Sequence, residues 1–332
     1  MYHFIFVEGD KILGTIPAAN SCPFCSALRP LSMHLYELAA YGDFLDNSRT
    51  TYVRKKNVLL PDQEARTSTI AGWLRLASQV ERVELNTFQF QAAHIYCEPV
   101  ADALDSDAKH YSRIATPLTR FVFFCNALEE TYRFLSPTYE RAYDRAIQSE
   151  KIEYLRSPSM QASAVLDQSS GTVIPIEYQH LVENLAKVAD IYLQQTGATL
   201  DTCRKTLQDL SYGIQLIRNV RNQVAHGVFP LLENPEYSMS VNNFQIRNTV
   251  NLLNQCTRVG AISIQLMLNI DNDGFNSYSY VGAKEDLETG GYFSKQISSG
   301  YLINLHKSQE FGLSEEAYFK WSELALNDKG DN

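Results

Sequence analysis

The sequence predicts a mainly α fold: a helical bundle over residues 110–270, an α+β region over 1–109, and a small irregular or β segment over 271–332. Three observations carry this reading. Apolar residues recur at three-four spacing through the middle of the chain, as on the buried stripe of a helix. The first hundred residues mix a hairpin signature with one helical pattern. The tail is rich in Gly, Ser and Tyr and lacks either period.

In chain order, HFIFVEGDKILGTIPA places apolar runs on both sides of the turn-forming Glu8, Gly9 and Asp10, which predicts a hairpin. Residues 62–82 read as a helix with Ile70, Trp73, Leu74, Leu76 and Ala77 on one side. VELNTFQFQAAHIY, 83–96, partly alternates and suggests a strand. The stretch 99–108, PVADALDSDA, combines Pro, Asp and Ser and is the expected domain boundary. TPLTRFVFFCNALEETYRFL then opens with Thr116 as N-cap and Pro117 in the first helical position. Its stripe is Leu118, Phe121, Val122, Cys125, Leu128, Tyr132 and Leu135, and Ser136-Pro137 is expected to stop it. Further helices are predicted over 138–155, 176–196, 201–226 and 241–269, with a loop over 157–175. The tail reads as short strands and turns closed by a helix near 314–326.

The chain has 332 residues, 45% apolar and 20% charged, with a net charge of -9 and a pI near 5.3. Such a body does not bind nucleic acid through overall positive charge, although a local basic site remains compatible with it. The six cysteines (Cys22, Cys25, Cys97, Cys125, Cys203, Cys256) have no disulfide-framework spacing. No signal peptide and no membrane span are expected, since the opening MYHFIFVEGD has no basic leader and no run of about 18 apolar residues occurs. A reducing, cytoplasmic setting follows as the simplest expectation. Cys22 and Cys25 form a lone C-x-x-C. Zinc takes four ligands, and only His34 and His3 lie near in sequence, so zinc is the weak alternative and no cofactor is expected.

Chemistry concentrates in YGIQLIRNVRNQVAHGVFP, 212–230. The apolar positions Leu207, Leu210, Ile214, Ile217, Val220 and Val224 leave Arg218, Arg221 and Asn222 off the core stripe. Asn222 and His226 are four apart and share a helix face. Gly227 stands where a helix exit needs positive φ, and Pro230 follows. His226 therefore belongs to the last turn, where the helix dipole favours a cation. These residue types suit RNA scission by the 2′-hydroxyl. Histidine moves protons near neutrality, and arginine binds phosphoryl oxygens as a fork. Between 203 and 228 four basic residues (Arg204, Lys205, Arg218, Arg221) stand against Asp209 alone.

Arg221-Asn222-Gln223-Val224-Ala225-His226 resembles the R-x4-H motif of the HEPN superfamily in its R-N-x-x-x-H form, and Ala225-His226-Gly227 fits its A-H-G ending. FVFFCNALEETY, 121–132, is similar to the first helix of some HEPN families, Apea-like and defence-associated proteins among them. The resemblance covers about half the chain. It implies a HEPN-like bundle, a homodimer with a composite cleft, and an endoribonuclease leaving a 2′,3′-cyclic phosphate and a 5′-hydroxyl, of the toxin or antiviral defence kind, with an antitoxin or regulatory partner. It implies Arg221 as phosphate stabiliser, Asn222 as orienting group and His226 as proton-transfer residue, with Glu129 or Glu130 facing the motif. Arg218 is at most auxiliary.

Plainer readings stand beside these. His226 and Arg221 could be a helix C-cap and a carboxylate partner, and Glu129 and Glu130 a solvated face. The tyrosines between 278 and 301 could stack bases or pack a small sheet. His94, His110, His180 and His306 show no partner pattern. A catalytically silent HEPN module that binds a protein or nucleotide is the alternative function, and a metalloprotein built on Cys22 and Cys25 the third.

Overall fold

The computed structural model describes residues 6–8, 11–13, 28–45, 47–55, 58–95, 97–148, 158–169, 174–197, 205–270 and 305–307. They form two antiparallel hairpins and seven α-helices. Strands β1 (Phe6–Glu8) and β2 (Lys11–Leu13) pair antiparallel with Glu8 opposite Lys11, so the expected hairpin pairing is present. Helix α1 is Leu31–Leu45. Strands β3 (Ser48–Lys55) and β4 (Val58–Arg66) follow, with an irregularity between Thr50 and Tyr52. Then come α2 (Thr67–Ser78), α3 (Glu98–Gln148), α4 (Pro158–Asp167), α5 (Ile176–Thr196), α6 (Tyr212–Ala225) and α7 (Asn243–Ile270). The fold is mainly helical, as predicted.

Helix α7 is the centre. From Val259 to Asn269 every residue is buried, the pattern of a helix enclosed on all sides. It packs against α1, α3, α4, α5 and α6. Glycines permit two of these approaches. A Cβ on Gly260 would lie 2.3 Å from Phe124 Cζ, and one on Gly213 would lie 2.8 Å from Val259 Cγ1. The N-terminal elements join through α2, which packs on both α1 and α3. Arg49 of β3 stacks over Phe134, 4.4 Å from the ring centroid, and donates to its carbonyl.

Several expectations are corrected. The stretch 99–108 is not a linker but the opening turns of the 51-residue α3. Thr116 is not an N-cap: its hydroxyl donates to Ser112 O at 2.8 Å and accepts from Val83 N at 2.9 Å. Proline inside a helix costs about 3 kcal/mol, yet α3 runs through Pro117 and Pro137. Ile114, Phe121, Phe124, Leu128 and Leu135 lie almost wholly buried along it, and burying each such side chain is worth about 1.5–3 kcal/mol. Packing outweighs the local breakers.

The proposed strand 83–96 is a turn and a short 3-10 segment, Ala92–Ile95. Leu85, Phe90 and Ile95 are exposed, and among the described residues no strand pairs with this stretch. The expected loop 157–175 contains α4, which opens on Pro158 in the first helical position. Its buried Ser163 returns its hydroxyl to Ser159 O. The helix predicted from 201 begins at Tyr212, because Asp209 Oδ2 turns back on Thr206 N and Oγ1 and ties the preceding residues into turns. The helix expected over 62–82 covers only Thr67–Ser78, its opening residues being used as β4. The predicted 176–196 matches α5. The tail readings over 271–304 and 314–326, with the tyrosines between 278 and 301, lie outside the described residues, as do Cys22 and Cys25.

Candidate functional site

The site is built on α6 and on the middle of α3. Ile214, Ile217 and Val220 are wholly buried on α6, so Arg218, Arg221 and Asn222 stand at its partly exposed margin. The start of α6 is held from outside. Asp167, at the end of α4, accepts from Ser211 N at 3.0 Å and Ser211 Oγ at 2.8 Å and pairs with Lys205 at 2.6 Å. A carboxylate at this end satisfies an otherwise unpaired amide and complements the helix dipole. Asp167→Ala is expected to cost about 1–2 kcal/mol, read as a lower urea midpoint with an unchanged slope. A midpoint equal to wild type would show that Asp167 does not cap α6.

The other end terminates where the sequence indicated. His226 is the C-cap, its amide donating to Asn222 O at 2.9 Å, and Gly227 takes φ 68°. That left-handed conformation strains any residue with a Cβ. Gln223 O then accepts from both Val228 N and Phe229 N. Phe229 is buried and stacks on Tyr192, ring centroids 5.6 Å apart. The turn carrying His226 is thus fixed on both sides while the residue itself is exposed, with no side-chain partner among the described residues.

Arg221 meets two groups. Its Nη1 donates to Asn222 Oδ1 at 3.3 Å, and its Nη2 lies 3.5 Å from Glu129 Oε1 of α3. The two charged side chains are 40% and 37% exposed, and a pair this open contributes about 0–1 kcal/mol. Its guanidinium is therefore within reach of an incoming anion. The ambiguity between the two glutamates resolves: Glu129 faces Arg221, whereas Glu130 is buried and accepts from Arg66 N and Arg133. Arg218 is half-buried one turn earlier on the same margin, and its charge reaches the buried Tyr132 hydroxyl. Burial pushes the Cys125 thiol, which sits beside Arg221 and Glu129, well above its usual range, so it stays protonated and unreactive.

The structure therefore brings the side chains of Arg221, Asn222 and Glu129 together and leaves the His226 imidazole one turn further on, its residue joined to Asn222 only through the backbone bond. Lys205 is spent on Asp167, so among the described residues the local accessible cations are Arg218 and Arg221, Arg204 lying outside them. A cleft of about 410 Å³ lies elsewhere, between the N-terminal part of α3 and the strap after α6. Its Lys109 is paired with Asp105, and His110 is bonded to Leu232 O. Sequence reading missed this anchoring of His110 because it bridges residues 122 apart in sequence. Among the described residues no group of three or more His, Cys, Asp or Glu side chains is placed to hold a metal ion, and no helix is long and apolar enough to cross a membrane. Comparison of the chain with protein-family models, with curated proteins and with solved structures finds no match.

Proposed function

We propose that this protein is an endoribonuclease that cleaves RNA without a metal, using Arg221, Asn222 and His226 in the manner the HEPN resemblance implies. The observation that carries the reading is an accessible guanidinium and an accessible imidazole at one helix exit, on a backbone held by the Gly227 turn and the buried Phe229. Arg221 would bind the phosphoryl oxygens, displacing its weak contact with Glu129. Asn222 holds the guanidinium in place through Oδ1. His226 would exchange a proton with the 2′-hydroxyl or the leaving 5′-oxygen.

Attack by the 2′-hydroxyl needs both a base and an acid, and this site offers one histidine. A second copy presenting its own His226 supplies the other, so a homodimer is part of the proposal. The exposed Val228 and Leu231, which follow His226 closely, and Val122 on α3 support an apolar contact near the motif. A toxin or antiviral defence role, with an antitoxin or similar partner, follows from the same resemblance. The acidic body with few free cations suits exposed RNA loops better than duplexes. The Arg221–Glu129 contact favours the second reading, a catalytically silent module whose arginine is kept occupied.

The test compares wild type with His226→Ala and Arg221→Ala on single-stranded RNA in EDTA. Cleavage by wild type alone supports the ribonuclease. Cleavage that requires magnesium, or that both variants retain, removes it.

A further inference from the structure

A buried polar chain far from the motif uses both of the deeply buried histidines His34 and His306. The segment 305–307 docks beside residues 28–29: Leu28 and Lys307 form an antiparallel bridge, Arg29 N donates to His306 O at 2.8 Å, and Arg29 Nε donates to Lys307 O at 3.0 Å. Leu305 and His306 are wholly buried. Beneath this contact, Arg258 of α7 gives Nη2 to Arg29 O at 2.6 Å and Nη1 to His34 Nδ1 at 3.1 Å. His34 Nε2 meets Gln265 Oε1 at 2.9 Å, Gln265 Nε2 meets His306 Nδ1 at 3.2 Å, and His306 Nε2 faces Glu177 Oε2 at 3.6 Å.

A guanidinium can only donate. Arg258 therefore fixes the direction of every link that follows. His34 Nδ1 accepts, so its proton is on Nε2. Gln265 accepts from it through Oε1 and donates through Nε2. His306 Nδ1 accepts in turn, and its proton points from Nε2 towards Glu177. The chain starts on a cation, ends on an anion and has room for one proton on each imidazole. A second proton on His34 turns Nδ1 into a donor facing Arg258. A second proton on His306 sets Nδ1–H against the Gln265 amide, and reversing that amide only moves the donor–donor contact to His34.

We propose that this chain is a proton-operated latch: it holds 305–307 and 28–29 against α7 while both histidines are neutral, and acidification releases them. Among the described residues, the charged groups around the two imidazoles are Arg29, Glu37, Arg258, Glu177 and Lys307. Arg29 is paired with Glu37 at 3.4 Å and Lys307 with Glu177 at 3.5 Å. Among the described residues, neither surplus proton gains a free carboxylate. Burial, chiefly, holds both histidines below their ordinary value, with Arg258 adding to the effect at His34 and Glu177 partly opposing it at His306. Glu177 is lowered to about 2, first by His306, and Arg258 to about 10 by burial. Both therefore keep their charge across the acidic range considered. A closed latch binds fewer protons than an open one. Its hold is complete above the free histidine value of about 6.5 and falls as pH drops below it.

Hydrogen exchange of the full chain at pH 7.5 and 5.5, corrected for the intrinsic pH dependence of amide exchange, reads the latch. A histidine that stays neutral in the closed latch contributes about tenfold per pH unit below its free value. Peptides containing 28–29 and 305–307 are therefore expected to lose at least about tenfold in protection at pH 5.5, reversibly, while α3 and α6 keep theirs. The double variant H34N/H306N, whose amide oxygens can accept where Nδ1 accepts, is expected to show equal protection at both pH values. Unchanged protection in wild type, an equal loss in the double variant, or simultaneous opening of α3 and α6 would each overturn the latch. Should the double variant not fold, imidazole nitrogen shifts in wild type decide. Neutral Nε2–H tautomers at pH 7.5, protonating together with the loss of protection, support it. The opposite tautomer, or protonation without that loss, contradicts it.

Discussion

His226→Ala is expected to slow RNA cleavage in EDTA by about 10²–10⁴-fold, the range for losing a positioned proton-transfer group. Arg221→Ala should cost about 10²–10³-fold, as for one preorganised donor to a developing oxyanion. Neither change should disturb the fold. His226 is exposed and bonds only through its backbone amide among the described residues, and exposed positions of this kind alter stability by about 0.5 kcal/mol or less. Arg221→Ala frees Glu129, itself 37% exposed, so it is solvated rather than stranded. Chemical denaturation run beside the assay separates the two roles. Lost cleavage with unchanged midpoints places both residues in the chemistry. Cleavage lost in step with stability would make them structural caps.

Gly260→Ala should give the largest loss of stability, about 2–3 kcal/mol. Its new Cβ would lie 2.3 Å from Phe124 Cζ, 2.6 Å from Phe124 Cε1 and 3.3 Å from Ile217 Cδ1. Phe124 and Ile217 are both wholly buried, in a packed interior where neither ring nor methyl can swing aside. The strain must instead part α7 from α3 and α6. Those two helices carry Glu129 and Arg221, so the variant should also weaken cleavage beyond its loss of folded protein. The urea midpoint checks the first effect, and a midpoint at the wild-type value would mean the crossing is looser than these distances indicate.

The parts legible in the sequence are those where local pattern and tertiary packing agree. Helix α5 and the exit of α6 at His226 and Gly227 follow from the three-four stripe and from the one residue that accepts φ 68° without strain. The choice between Glu129 and Glu130 was not legible. Adjacent residues on a helix point about 100° apart, and only the packing of α3 on α6 and β4 decides which one meets Arg221. Helix α3 was misread because Pro117, Pro137 and the polar run 99–108 are local signals, while the apolar burial that overrides them is global. Helix α4 is not legible because Ser159 and Ser163 look like loop residues until the Ser163 hydroxyl is seen bonded to the Ser159 carbonyl inside the helix. The buried His34–Gln265–His306 chain joins residues 231 and 41 positions apart. No spacing rule connects such residues; they meet only through the fold.

If Arg221 and His226 act on one phosphodiester without a metal, the chemistry leaves its mark on the cut ends. Incubating the purified full chain with a single-stranded RNA in EDTA and identifying those ends decides the matter. The expected products carry 2′,3′-cyclic phosphate and 5′-hydroxyl ends, with no cut at a nucleotide whose 2′-hydroxyl has been removed. Ends bearing a 5′-phosphate, cutting at the 2′-deoxy position, or an intact RNA would contradict that chemistry.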